Sequence, residues 1–322
     1  MQDETAPILF SRFQSDPDAG RQRLSRAARR GSSERIARGA YMSTEAWAAL
    51  ESRARHLARI HAVVATRTSP PVVSHFSAAA VHGLPILGDW PIAVHVTVVP
   101  GAGTHSRPTL VKHTARIPPE DLLRVGDLLV TSVARTVLDI AASCTFMDGV
   151  IAADAALYSD ELHGHSPATT KADLLAAFER ALPRRAHARI TEVISFAESG
   201  AQTPIESVSR VNMRVLRVPR PQLQVAHFDS RGFIGSTDFA WEEFGAVGEA
   251  DGDRKYLDIA ARSGRSPEQV LLDEKNREDR LRALPRKVSR WPWAVAIDPP
   301  RLREKLRLLG LPFNVAWESD VS

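Results

Sequence analysis

The chain has 322 residues, of which 43% are hydrophobic and 25% charged, with a formal net charge of +4. That length exceeds one usual domain, so two or three are expected, and the balance excludes a disordered or fibrous chain. A single cysteine, Cys144, excludes an internal disulfide framework and a multi-cysteine zinc site, and points to a reducing, cytoplasmic setting.

The start of the chain carries Asp3 and Glu4 and lacks a basic-then-apolar signal pattern, and no apolar run approaches a membrane span. Only six of the 42 basic residues are lysine. The arginines are unevenly spread. Arg21, Arg23, Arg26, Arg29, Arg30, Arg35 and Arg38 stand against Glu34 alone between residues 21 and 38.

In chain order, residues 1–20 read as a loose lead-in with Pro7, Pro17 and Gly20. Residues 21–68 read as a basic helix, a break at Gly31, an extended segment from Arg35 to Met42, and one helix from the cap Ser43 through Trp47, Leu50, Leu57 and Ile60. Residues 69–190 form a mixed α/β module: "SHFSAAAVHGL" is a helix stopped at Gly83, "IAVHVTVVP" alternates as a strand, and "LLVTSVARTVLDIAAS" runs from strand into helix. "GVIAADAAL" and Thr170 to Ala181 add two more helices.

Residues 191–322 repeat the change of period. "TPIESVSRVNMRVL" is a helix with Pro204 in its first turn. "QLQVAHFDS", "IGSTDFAWEE" and "AVGEADG" are three strands of an antiparallel meander. "SPEQVLLDEKNREDRLRALPR" is a helix, "KVSRWPWAVAI" a strand, and "PPRLREKLRLLGL" a closing helix.

Two sets of residues carry chemistry. Along a strand, side chains two apart share a face, so Glu249 and Asp251 project together, and pairing across the turn at Gly245 brings Asp238 beside them. Crowded carboxylates repel, and a hard cation such as Mg²⁺ (or Mn²⁺) relieves the repulsion and activates water. Lys255 would then stabilise charge in the transition state. The alternative is a polar hairpin end whose charges are simply solvated, and spacing alone leaves both readings open.

In the basic segment, a helix bearing Arg23, Arg26, Arg29 and Arg30 would lie against a major groove, with Arg35 and Arg38 on phosphates or in the neighbouring minor groove. The alternative there is a solvated arginine face in an arginine-rich protein.

The segments "PIESVSR", "TDFAWEEF", "GEADGDRKY", "EKNREDRLRAL" and "VSRWPW" resemble the very-short-patch-repair-like endonuclease domain of the PD-(D/E)xK class, over about residues 195–310. The resemblance implies a restriction-endonuclease-like α/β fold. It implies Glu206, Asp238, Glu249 and Asp251 as site positions, with metal on Asp238, Glu249 and Asp251 and Glu206 positioning water or a second ion. Lys255 would sit where relatives carry His or Lys, and Lys275 and Arg277 would flank the site and meet DNA. The parent motif has lysine two residues after the second acid, where this chain has Asp251.

The earlier part is similar to another family. "RLSRAARRGSSERIARGAYM", "SHFSAAAVHGLPI", "VHVTV", "VTSVARTVLDIAA" and "VIAADAAL" resemble AbiEi-type antitoxins and predicted transcriptional regulators. That resemblance implies a winged helix followed by an α/β module, DNA as partner, and a cognate toxin protein. The expected molecule is therefore a mixed α/β, DNA-associated regulator or antitoxin carrying a nuclease-like domain. It either hydrolyses DNA with a metal ion or binds without cutting.

Overall fold

The computed structural model describes residues 8–67, 69–101, 105–160, 164–181, 186–251 and 266–317. It is a mixed α/β protein with three sheets. The fold resolves into two compact units, one within Met1–Cys144 and Thr169–Ile190, the other within Thr145–Ala168 and Thr191–Ser322. The stretch from Thr145 to Ala168, kept with the middle module in the sequence reading, belongs to the second unit.

The first unit opens with β1 (Leu9–Phe10), α1 (Pro17–Arg29), β2 (Ser33–Ala37) and β3 (Ala40–Ser43). Asp16 caps α1, its carboxylate accepting from the amides of Asp18 and Ala19 at 3.0 Å, and Pro17 fits the first turn because no amide is needed there. The helix buries Gly20 and Leu24 and leaves its arginines in solvent. β1 and β2 pair on either side of β3, both antiparallel. A helix followed by two paired strands, with an earlier strand closing the sheet, occupies the segment expected as a winged helix.

The single helix expected after Ser43 is two, α2 (Thr44–Ala49) and α3 (Ser52–Ala65). Leu50 turns extended, and the Arg55 guanidinium donates to the carbonyls of Trp47 (3.0 Å) and Ala48 (2.9 Å), satisfying the end of α2.

The remaining elements of this unit build a five-stranded mixed sheet. β4 (Val72–Val73) leads into α4 (His75–His82), β5 (Val94–Val98), β6 (Leu110–Thr114), β7 (Leu122–Val125), β8 (Leu128–Thr131) and α5 (Val133–Ser143), in the sheet order β6-β5-β4-β8-β7. Gly83 at φ 77° ends α4, and Ser132 caps α5 through the Arg135 amide at 3.2 Å. One apolar core runs from Met42 and Ile60 to Val73, Val96 and Val130, so the wing segment and the sheet share it.

α6 (Phe146–Leu157) belongs to the second unit, α7 (Lys171–Arg180) to the first, and α8 (His187–Phe196) begins in one and ends in the other. The second unit continues with α9 (Pro204–Val215), β9 (Gln222–Asp229), β10 (Gly232–Trp241), β11 (Ala246–Asp251), α10 (Pro267–Ala283), β12 (Lys287–Pro292), α11 (Trp293–Ala296) and α12 (Pro299–Leu308). The β9-β10-β11 meander is antiparallel as read from the sequence. β12 then joins β11 in parallel, giving the order β12-β11-β10-β9.

Trp291 on β12 is fully buried. It donates to Ser209 Oγ on α9 at 2.9 Å and stacks on Phe239 of β10 at 5.6 Å, fixing helix against sheet. α6 is tied to α9 by a buried ion pair. Asp154 accepts from Arg210 Nη1 and Ser207 Oγ, both at 2.7 Å, and from the Glu198 amide at 2.8 Å. Every one of those bonds keeps Thr145–Ala168 with the second unit. Among the described residues no helix is long and apolar enough to cross a membrane.

Candidate functional site

The acidic residues singled out in the sequence sit on three elements of the second unit. Glu206 lies in the first turn of α9 and is 2% exposed. Thr203 Oγ1 donates to its Oε1 at 2.6 Å and the Gln202 amide to its Oε2 at 2.9 Å. A carboxylate in a first turn is stabilised by unpaired amides and the positive end of the helix dipole. Asp238 on β10 and Glu249 on β11 are also buried. The ladder pairs Ala240 with Val247 and Phe239 with Gly248, so one step further Asp238 comes opposite Glu249. Asp238 Oδ2 accepts from the Ala250 amide at 2.7 Å, which holds the side chain against the neighbouring strand.

Gln224 joins the first two acids. Its Nε2 lies 3.3 Å from Glu206 Oε2 and 3.4 Å from Asp238 Oδ1. Its backbone is left-handed, φ 50°, within β9. A non-glycine residue in that conformation costs on the order of 1 kcal/mol or more and persists where the surroundings demand it. The ladder pairs Val225 with Thr237 and Leu223 with Phe239, leaving Gln224 facing Asp238 between them.

Glu249 has different company. Arg277 of α10 donates to its Oε1 at 2.7 Å, and Arg290, its register partner on β12, forms an ion pair with Oε2. Arg290 also reaches Glu278 at 3.6 Å, and Glu278 in turn pairs with Arg282 at 2.6 Å. Arg277 was expected to meet DNA; it is three-quarters buried on Glu249, while Lys275 on the same helix is exposed. Asp251 ends β11 half-buried, opposite Pro292. Lys255 lies outside the described residues.

These donors are tested for a hard divalent cation by their chemistry. Glu206 and Asp238 offer carboxylate oxygens of the kind Mg²⁺ and Mn²⁺ prefer, and they fit to the extent that both converge on one point, which the Gln224 Nε2 donor occupies. Glu249 does not fit in this arrangement, since a guanidinium faces each of its oxygens. Among the described residues, no three His, Cys, Asp or Glu side chains group as a metal site.

Tyr158 also feels the Glu206 charge. Burial first, then the Asp160 carboxylate to which it donates at 3.2 Å, push its hydroxyl up to about 12, with the Glu206 charge adding to the effect.

In the first unit Arg23, Arg26, Arg29, Arg30, Arg35 and Arg38 are all exposed. Arg23 donates to Gln14 Oε1 at 2.5 Å and Arg26 to Gln22 Oε1 at 3.3 Å, both neutral partners, so the charges stay unbalanced. At helical spacing Arg23, Arg26 and Arg30 form one stripe flanking the buried Leu24 face.

The histidines of this unit cluster more than their spacing implied. His75 stacks on His113 at 3.4 Å, and His95 Nδ1 lies 3.1 Å from His113 Nε2. Burial first, then neighbouring His113 and His56, lower His95 to about 4, and burial also lowers His113.

Sequence reading missed Gln224, Arg290 and Tyr158. Gln224 is one polar residue in an alternating strand, and only its left-handed backbone marks it. Arg290 meets Glu249 through a parallel pairing that no local pattern encodes. Comparison with protein-family models and with curated protein sequences returned no match.

Proposed function

We propose that this chain is a DNA-associated protein of the regulator or antitoxin kind, whose second unit hydrolyses DNA phosphodiesters with Mg²⁺ or Mn²⁺. The observation that carries the reading is the convergence of Glu206, from a helix, and Asp238, from a strand, on Gln224. The helix–strand–strand–strand–helix–strand order, with Glu249 on the strand beside Asp238, supports it.

A cation held by Glu206 and Asp238 would supply Lewis-acid polarisation of a phosphoryl oxygen and a water of lowered pKa. The chain's own groups do the rest. Gln224 keeps the two carboxylates aimed at one point, and the Ala250 amide fixes Asp238. Arg277, about a quarter exposed, lies beside the acids with its charge engaged by Glu249. The exposed arginines of α1 and the wing supply the electrostatic attraction to DNA, and a cognate toxin protein is the further partner of this reading.

One observation favours a second reading, binding without cleavage: Glu249 is neutralised by Arg277 and Arg290 rather than left for a cation. The two readings separate on incubation of plasmid and single-stranded DNA with Mn²⁺. Cleavage by the wild type, lost in Asp238→Ala and Glu206→Ala, supports the enzyme. Retardation of DNA without cleavage, unchanged by either substitution, leaves the binding protein.

A further inference from the structure

A cleft of about 510 Å³ in the first unit is lined by Arg12, Arg21, Arg35, Arg38, Arg67 and Arg107, and among the described residues no Asp or Glu lines it. Those six come from five separate stretches, so the clustering is made by the fold and not by a basic run. Arg21 pairs with Asp18 at 2.8 Å, both well exposed; among the described residues the other five form no ion pair. The Nε of Arg67 is buried and has no hydrogen-bond acceptor. Buried guanidinium donors are normally satisfied, and like charges gathered in one concave space repel. Burial first, then the Arg107 charge, pull Arg67 below its ordinary value.

The arginines are mounted on fixed backbone. Arg107 sits in a turn closed by two bonds with Leu110, of 2.8 and 2.9 Å. Arg38 precedes Gly39, whose φ of 74° and whose carbonyl, accepting from the Ser11 amide at 2.9 Å, set the wing turn. Arg67 follows α3 with its amide bonded to Val64 O at 3.1 Å. Such preorganisation lowers the entropic cost of gripping an anion. The carbonyl end of α3 opposes with about half a negative charge, far less than six guanidinium groups supply.

We propose that this cleft binds a compact polyphosphate chain: the triphosphate of a nucleotide or of a nucleic-acid 5′ end. Guanidinium forks from several directions around one enclosed volume match closely spaced phosphate oxygens. A duplex backbone presents its phosphates along an extended line, which the outward stripe of Arg23, Arg26 and Arg30 matches instead. The site is independent of the acid cluster in the second unit and of any cleavage there.

The test is calorimetric titration of the full chain at low ionic strength with inorganic tripolyphosphate, ATP, a 5′-triphosphorylated oligonucleotide, its 5′-hydroxyl counterpart and a DNA duplex with 5′-hydroxyl ends. Tripolyphosphate is expected to bind, and Arg67→Met and Arg107→Met each to weaken it about tenfold or more, while Arg23→Met changes it less than about twofold. Arg38→Met, on an exposed turn, gives the same loss without risk to the fold, and thermal unfolding reports the integrity of each variant. ATP as tight as the triphosphorylated oligonucleotide identifies a free nucleotide; binding only of the oligonucleotide identifies a nucleic-acid end. Absence of tripolyphosphate binding, or equal weakening by Arg23→Met, overturns the proposal. Duplex binding that persists in that case leaves the DNA reading standing. Tripolyphosphate binding without duplex binding retains the site and removes that reading.

Discussion

Arginine does two kinds of work in this molecule: Arg135 and Arg180 of the first unit pair with Asp139 and Asp121, but several arginines nearer the start of that unit do not share this fate. Arg12, Arg35, Arg38, Arg67 and Arg107 gather with no carboxylate among them in the described residues, and the stripe on α1 faces solvent. In the second unit, Arg210, Arg277 and Arg290 are drawn inward to Asp154 and Glu249. The residue is the same and its sequence frequency is similar; the difference is whether folding supplies a counterion. An uncompensated cluster keeps its charge for an outside partner, while a compensated one is spent on the fold. The contrast also separates the acids of the second unit, because Glu249 has its guanidinium partners while Glu206 and Asp238 share a neutral amide.

The largest effect that sharpens this contrast is on stability. Asp154→Ala leaves Arg210 buried without its carboxylate, and about 3–5 kcal/mol is expected to be lost from the second unit in denaturant unfolding. A loss under about 1 kcal/mol would mean that the pair is not the tie between α6 and α9.

Acidification comes next and acts on the first unit. Burial first holds His56 and His95 each at about 4, well under the ordinary 6.5. A depressed histidine binds its proton more readily when unfolded, so stability is full above about pH 6.5 and falls as pH drops towards 4. The expected loss is on the order of 2–3 kcal/mol per group, less where the two are coupled. His95→Gln should flatten the profile of unfolding free energy against pH over that window, and an unchanged slope would contradict the assignment.

Gly248→Ala tests the packing under the acid strand. A Cβ there would come within 2.8 Å of the Trp291 ring, which is fully buried between α9 and the sheet. Overpacking of about 1–3 kcal/mol is expected in thermal unfolding. The smallest effect is expected from Arg26→Ala, on the exposed stripe: unfolding within about 0.5 kcal/mol of wild type, with a shallower salt dependence of DNA binding.

Much of this was legible in the sequence, for identifiable reasons. The caps Ser43, Ser132 and Thr170, the stop at Gly83 and the alternation in "QLQVAHFDS" and "IGSTDFAWEE" are local signals, and local signals set the elements. The break at Leu50 was not legible, because the apolar period continues across it and the Arg55 side chain that ends α2 lies a turn further on. Nor was the end of β12, where Trp293–Ala296 turns helical although "WAVAI" reads as strand. The partners of Glu249 depend on the parallel register of β11 and β12 and on α10 crossing between them, both long-range facts. The arginine cleft is of the same kind, assembled from positions 12 to 107 by the fold alone.

The most direct test of the central contrast is Mn²⁺ titration of wild type, Asp238→Asn, Glu206→Gln and Glu249→Gln, followed by calorimetry and by the electron-spin signal of free Mn²⁺. Binding by the wild type is predicted to fall about tenfold or more in Asp238→Asn and Glu206→Gln and to change little in Glu249→Gln, because that acid is already held by two arginines. Loss in Glu249→Gln with retention in the other two would contradict the account.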